Sequence, residues 1–123
     1  MQVAISAAGP TLDSPVDGRF GRCKCFVVVN TETLEFEVLD NTAAARGSGA
    51  GIAAAQIVAG SAAEAVAAAN IGPSAFQALS VGGLELYQCG SGTVRQAVEA
   101  LRRGELPRLA SASVAAHSGT APK

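Results

Sequence analysis

The chain has 123 residues and a formal net charge of −1, from 9 Lys plus Arg against 10 Asp plus Glu. That length fits one domain around a single core, and the balanced charge argues against a general nucleic-acid binder, which carries a basic excess or stripe. Hydrophobic residues make up 49% of the chain but aromatics only 4%, so its elements can approach closely while each contact buries little area. No apolar run reaches the ~18 residues of a membrane helix. The opening "MQVAISAAGP" has no basic leader, and the chain reads as cytoplasmic and independent of membranes. Cys23, Cys25 and Cys89 are odd in number, which fits thiols or metal ligands better than a disulfide framework.

In chain order, "QVAISAA" (2–8) reads as a buried strand. Residues 9–22 carry Gly-Pro, Asp-Ser-Pro and Asp-Gly turn signals, and form a long loop of the kind that is often functional. "CFVVVN" (25–30) is a strand, and 31–33 make a hairpin to a half-exposed strand over 34–40. There Leu34, Phe36 and Val38 alternate with Glu35 and Glu37. A glycine-rich loop (41–51) leads into a helix over 51–60, stopped by Gly60. Residues 61–70 support two readings: alanine favours helix, whereas length and context allow a buried parallel strand. Pro73 opens a helix with Phe76, Leu79 and Val81 as its apolar contacts. "LELYQCG" (84–90) is a strand. The last helix, within 91–104, carries Val94, Ala97, Val98 and Leu101 on one stripe, with Thr93 and Gln96 as a capping box. A domain over 1–106 and a flexible tail over 107–123 follow, the tail being rich in Ser, Ala and Pro. A hairpin followed by crossover units implies a mixed five-stranded α/β sheet with flanking helices.

Three glycine-bearing turns precede helices: "GSGAG" with Gly47, Gly49 and Gly51; "NIGPS" with Asn70 and Gly72; and "CGSGTV" with Gly90, Ser91 and Gly92. The second and third follow carboxyl ends of parallel strands, and so does the first if 34–40 is parallel to them. Ligands of open α/β sheets bind at that edge. Each helix start offers backbone N–H groups to an anion. Arg19 and Arg22, in "GRFGRCKCF", are charge-assisted donors for the same anion, unless they pair with Asp13 and Asp17 on their own loop. Cys23, at the loop end, reads as the exposed soft ligand. Cys25 reads as core, and for Cys89 the site and core readings stand equal. His117, the single histidine, lies in the polar tail and is a second candidate metal ligand. A permanent iron–sulfur cluster or structural zinc commonly takes four protein ligands. One or two soft ligands with cations and backbone donors fit temporary custody of a preassembled anionic cluster.

The stretches 12–41, 47–58, 70–79 and 90–106 resemble the dinitrogenase iron-molybdenum cofactor biosynthesis family, most specifically through R-F-G-R-C and G-P-x-A-F. The resemblance implies a ribonuclease H-like fold in the order β-β-β-α-β-α-β-α, without nuclease activity, and makes 64–69 a strand. It also implies transient binding of an iron–sulfur or iron–molybdenum cluster, with nitrogenase cofactor assembly proteins as partners. Arg19, Arg22 and Cys23, with the turns around Gly49, Gly72 and Gly92, are then the cluster contacts. The expectation is a non-enzymatic carrier, since no base–nucleophile pair is in sight. A phosphate-metabolite binding module and an interaction domain of a biosynthetic complex are the alternatives.

Overall fold

The computed structural model describes residues 1–45 and 49–110. Strands β1 (Gln2–Ala7), β2 (Cys25–Asn30) and β3 (Phe36–Asp40) are followed by helix α1 (Ala50–Ala59), β4 (Ala65–Ala68), α2 (Pro73–Val81), β5 (Glu85–Gln88) and α3 (Val94–Arg102). Two 3₁₀ turns, Phe20–Arg22 and Thr42–Ala45, flank the hairpin. The strands form one sheet in the order β3-β2-β1-β4-β5. β1 is parallel to β4, β4 is parallel to β5, and β2 runs antiparallel to both its neighbours. β3 is therefore parallel to β1, and all strands but β2 end at one edge. This is the mixed five-stranded α/β architecture read from the sequence.

Central position explains the continuous apolar runs. β1 is flanked on both sides and covered on both faces, and Val3, Ala4, Ile5 and Ala7 are inaccessible to solvent. β4 resolves the two readings of 61–70 in favour of a strand. Its four residues, AVAA, are all fully buried, so tertiary burial overrides alanine's helix preference. Val66 and Ala68 join the core that includes Ala54, Val58, Ala75 and Leu79 of α1 and α2. Ala65 and Ala67 face the opposite core, with Val94, Ala97 and Val98 of α3. The α3 capping box is formed: Gln96 N donates to Thr93 Oγ1 at 3.1 Å and Thr93 N to Gln96 Oε1 at 2.9 Å.

Two packing expectations need correction. The strand read over 34–40 starts at Phe36, because Leu34 lies in the turn with φ of 66°. Phe36 and Val38 are 43% and 42% exposed rather than core-facing, since β3 is an edge strand. Val81 is 81% exposed; it lies two residues past buried Leu79, on the far side of α2. Beyond α3 the chain pairs with β5: Gln88 N donates to Pro107 O and Leu109 N to Leu86 O. The Arg108 guanidinium lies 5.7 Å over the Tyr87 ring. The expected tail over 107–123 thus begins as an antiparallel partner of β5. No described helix is long and apolar enough to cross a membrane.

Candidate functional site

The long loop after β1 is stitched along the edge where β1, β3, β4 and β5 end. Val16 N donates to Gly92 O at 2.8 Å, in the turn before α3. Asp17 N donates to Ser6 O, and Ser6 Oγ, fully buried, returns a bond to Asp17 O, both at 2.9 Å. Asn70 Nδ2 donates to Gly18 O at 2.9 Å and Phe20 N to Asn70 O at 3.2 Å, in the turn before α2. Arg22 Nη1 reaches Ala44 O at 3.1 Å, in the turn that leads towards α1. Phe20 nails this path down. It is 2% exposed and its ring centroid is 5.1 Å from that of Phe26, a burial worth about 2 kcal/mol.

The starts of α1 and α2 meet beneath the loop. A Cβ on Gly21 would stand 3.1 Å from the Gly51 Cα and N, and a Cβ on Gly51 would stand 3.4 Å from the Ala75 Cβ. Gly51 therefore serves close packing. Both helices begin without a side-chain cap, at Gly49 and Gly72, and among the described residues a Cβ on either glycine would meet nothing within 4 Å. Helix starts without a side-chain cap offer their first-turn amides to an anion.

The third helix start is different. Val94 N donates to Ser14 O at 2.9 Å, Arg95 N to Leu12 O at 2.7 Å, and Gln96 N to Thr93 Oγ1 at 3.1 Å. The protein itself occupies the first-turn amides of α3, which also packs on the opposite sheet face from α1 and α2. The expected convergence of three turns reduces to two. Gly90 and Ser91 are exposed, and Gly92, at φ 130°, faces the capping Gln96.

Of the cations, Arg19 lies beside the α2 turn through a bridge to Asn70 and ion-pairs with Asp17 at 3.3 Å, with 70% of its side chain exposed. Asp13 pairs with Arg95 instead, at 3.1 Å. The Asp17 carboxylate, 14% exposed, also accepts from Arg19 N at 2.9 Å, so an anion would meet the exposed guanidinium while it stays tied to its own loop.

Cys23 corrects the sequence reading. Expected as the exposed ligand, it is fully buried. It donates to Phe20 O at 3.3 Å, and Asn41 Nδ2 lies 3.7 Å from its sulfur. The 3₁₀ turn folds the loop end inward, and burial pushes the thiol up to about 12, which keeps it neutral and a poor ligand. Cys25, on the opposite sheet face, is core as expected and donates to Gly9 O at 3.2 Å. Cys89 is buried too, its thiol raised by burial to about 11. Among the described residues no group of three or more His, Cys, Asp or Glu side chains is gathered to hold a metal ion. Gly47 and His117 lie outside the described residues.

Two supporting residues escaped sequence reasoning. Asn41, 6% exposed, donates from Nδ2 to Cys23 O at 2.9 Å and Gly21 O at 3.3 Å, and accepts from Ala43 N at 3.2 Å. Ser6 ties the loop to β1. The available signal was a lone polar residue inside, or just after, an apolar strand.

Several known proteins are similar to this chain. The chain is similar to the apo form of the orange protein from Desulfovibrio gigas, at 42% identity over 91% of this chain and 95% of that one, with a TM-score of 0.88. A Thermotoga protein provisionally assigned as NifB is 35% identical over 89% of this chain and 94% of its own, with a TM-score of 0.77. An uncharacterized protein of Methanocaldococcus jannaschii is 26% identical over 89% of this chain and 92% of its own length. A family profile described as "Dinitrogenase iron-molybdenum cofactor" matches residues 1–104. The chain belongs to the dinitrogenase iron-molybdenum cofactor family.

Proposed function

We propose that the protein binds and carries a preassembled anionic metal–sulfur cluster, an iron–sulfur or iron–molybdenum species of cofactor biosynthesis, without catalysing a reaction. The observation that carries this reading is the pairing of two uncapped helix starts, at Gly49 and Gly72, beneath a loop bearing Arg19 and Arg22. Family membership supports a role in iron–molybdenum cofactor biosynthesis, and a protein solved in an apo form has a ligand to lose. The cluster is cargo. Backbone amides and guanidinium groups hold its charge, and the absence of strong exposed thiolates favours release to cofactor assembly proteins. Cys23 becomes a ligand only if the 3₁₀ turn opens and the thiol ionises. The carrier works in the cytoplasm and needs neither nucleic acid nor membrane.

The burial of all three cysteines favours a second reading, a phosphate-bearing metabolite in the same place, since amides and arginines suit phosphate equally. Anaerobic incubation with an iron–sulfur or iron–molybdenum cluster separates the two. The carrier reading expects stoichiometric metal after gel filtration and a sulfur-to-metal charge-transfer band, both lost in Arg19→Ala/Arg22→Ala. Metal-free protein that instead gains thermal stability with nucleotides or inorganic phosphate would replace it with the second.

A further inference from the structure

The two edges of the sheet are treated differently. Beyond β5, residues 107–109 pair with the strand, whereas nothing among the described residues pairs with the outer side of β3. Asn30 N donates to Glu35 O, and Asn41 N donates to Lys24 O. In an antiparallel ladder this turns residues 35, 37, 39 and 41 towards β2, and leaves the backbone N–H and C=O of Phe36, Val38 and Asp40 facing outward.

The side chains along this edge are sorted by face. Phe36 and Val38 stand opposite Val29 and Val27, on the α3 side, and are exposed. Glu35 and Glu37 line a shallow recess of ≈ 160 Å³ together with Gln2, Val28 and Ala62 on the other side, where Phe36 also forms part of the rim. Residues 31–40 hold Glu32, Glu35, Glu37 and Asp40 and no lysine or arginine. None of these carboxylates is in a described ion pair. Phe36 and Val38, followed by Asp40, on one face and the carboxylates of Glu35 and Glu37 on the other define what would complete the strand. A second copy pairing through β3 would double the negative charge along one seam, and like charges across strands are destabilising.

We propose that β3 accepts along its outer edge an extended segment of another protein in which lysine or arginine alternates with aliphatic residues. The main chain of that segment bonds to the outward groups of Phe36, Val38 and Asp40. Its aliphatic side chains cover Phe36 and Val38, and its cations enter the recess beside Glu35 and Glu37. This is strand addition, in which backbone bonds give affinity and alternate side chains give specificity.

The test adds a short soluble peptide alternating lysine and valine to the full-length protein and follows amide hydrogen exchange. Slowed exchange confined to the amides of Phe36, Val38 and Asp40, with affinity falling as salt rises, is the expected result. Val38→Pro removes an outward donor at a position where an edge strand tolerates proline; it leaves the melting temperature of the protein near that of the parent and abolishes peptide binding. Glu35→Lys/Glu37→Lys, which needs no backbone adjustment, weakens the peptide by about tenfold or more. The proposal is overturned if those three amides exchange equally fast with and without peptide. It is also overturned if a glutamate–valine peptide binds as well, or if the free protein is a dimer that already protects them.

Discussion

Asn41 donates from Nδ2 to Cys23 O at 2.9 Å while the same nitrogen lies 3.7 Å from the Cys23 sulfur. One buried amide therefore fixes both the backbone and the thiol at the end of the arginine loop, and it does so from the residue that follows β3. Asn41→Ala leaves the carbonyls of Gly21 and Cys23 without this donor, at a cost of about 1–3 kcal/mol. Chemical denaturation will read that loss. In the same variant Cys23 reacts faster with a thiol reagent, whereas Cys25 and Cys89 stay protected.

The buried thiols make stability depend on alkaline pH. Cys23 and Cys89 are raised by burial from 9.0 to about 12 and about 11. Above pH 9 the unfolded chain gives up protons that the folded chain retains, so unfolding is increasingly favoured as pH rises through the folded values. The stabilisation is complete below pH 9 and declines between about 9 and 12. Melting curves across that window will fall in the parent, and the slope will flatten in Cys23→Ala/Cys89→Ala.

Gly72 and Gly92 separate the site from the scaffold. Gly72 has φ of −76°, and among the described residues a Cβ there would meet nothing within 4 Å, so Gly72→Ala keeps the parent stability within about 0.5 kcal/mol but intrudes on the proposed anion and weakens cluster retention. At Gly92, φ is 130° and a Cβ would stand 2.5 Å from Gln96 Oε1. Gly92→Ala disturbs the α3 cap and costs about 1–2 kcal/mol, with retention of the cluster unchanged. Parallel melts and metal analysis on the two variants will show opposite patterns.

Gly21→Ala tests whether the meeting of the two helix starts matters. Its methyl would press on the backbone of Gly51 at 3.1 Å, which cannot swing aside as a flexible side chain does. A stability loss of about 1–3 kcal/mol is expected from the overpacking. Cluster binding should fall further than in Gly72→Ala, because the first 3₁₀ turn is displaced from α1.

Much of this fold is local chemistry that can be read along the chain. The valine run of β2, proline at the start of α2, and the Thr93–Gln96 box each state their element within a few residues. The misread positions depend on distant partners. The pattern of Phe36 and Val38 does not tell whether another strand lies beyond them. The α3 start looked available because the carbonyls of Leu12 and Ser14 that occupy it come from the far end of the chain. Cys23 looked exposed because its burial requires Asn41, Phe20 and both flanking turns. The arginine loop was legible as chemistry, and so was the competing Arg19–Asp17 pair; which helix starts stand beside it was decided only by folding.

The antiparallel run of 107–109 along β5 has a practical consequence. By Leu109 the backbone is travelling towards Glu85, and so away from the pole where Gly49 and Gly72 open. A reporter protein or surface tether joined directly after Ala110 would begin its path at the opposite pole, leaving the approach to the arginine loop clear for surface-immobilised measurements of cargo uptake.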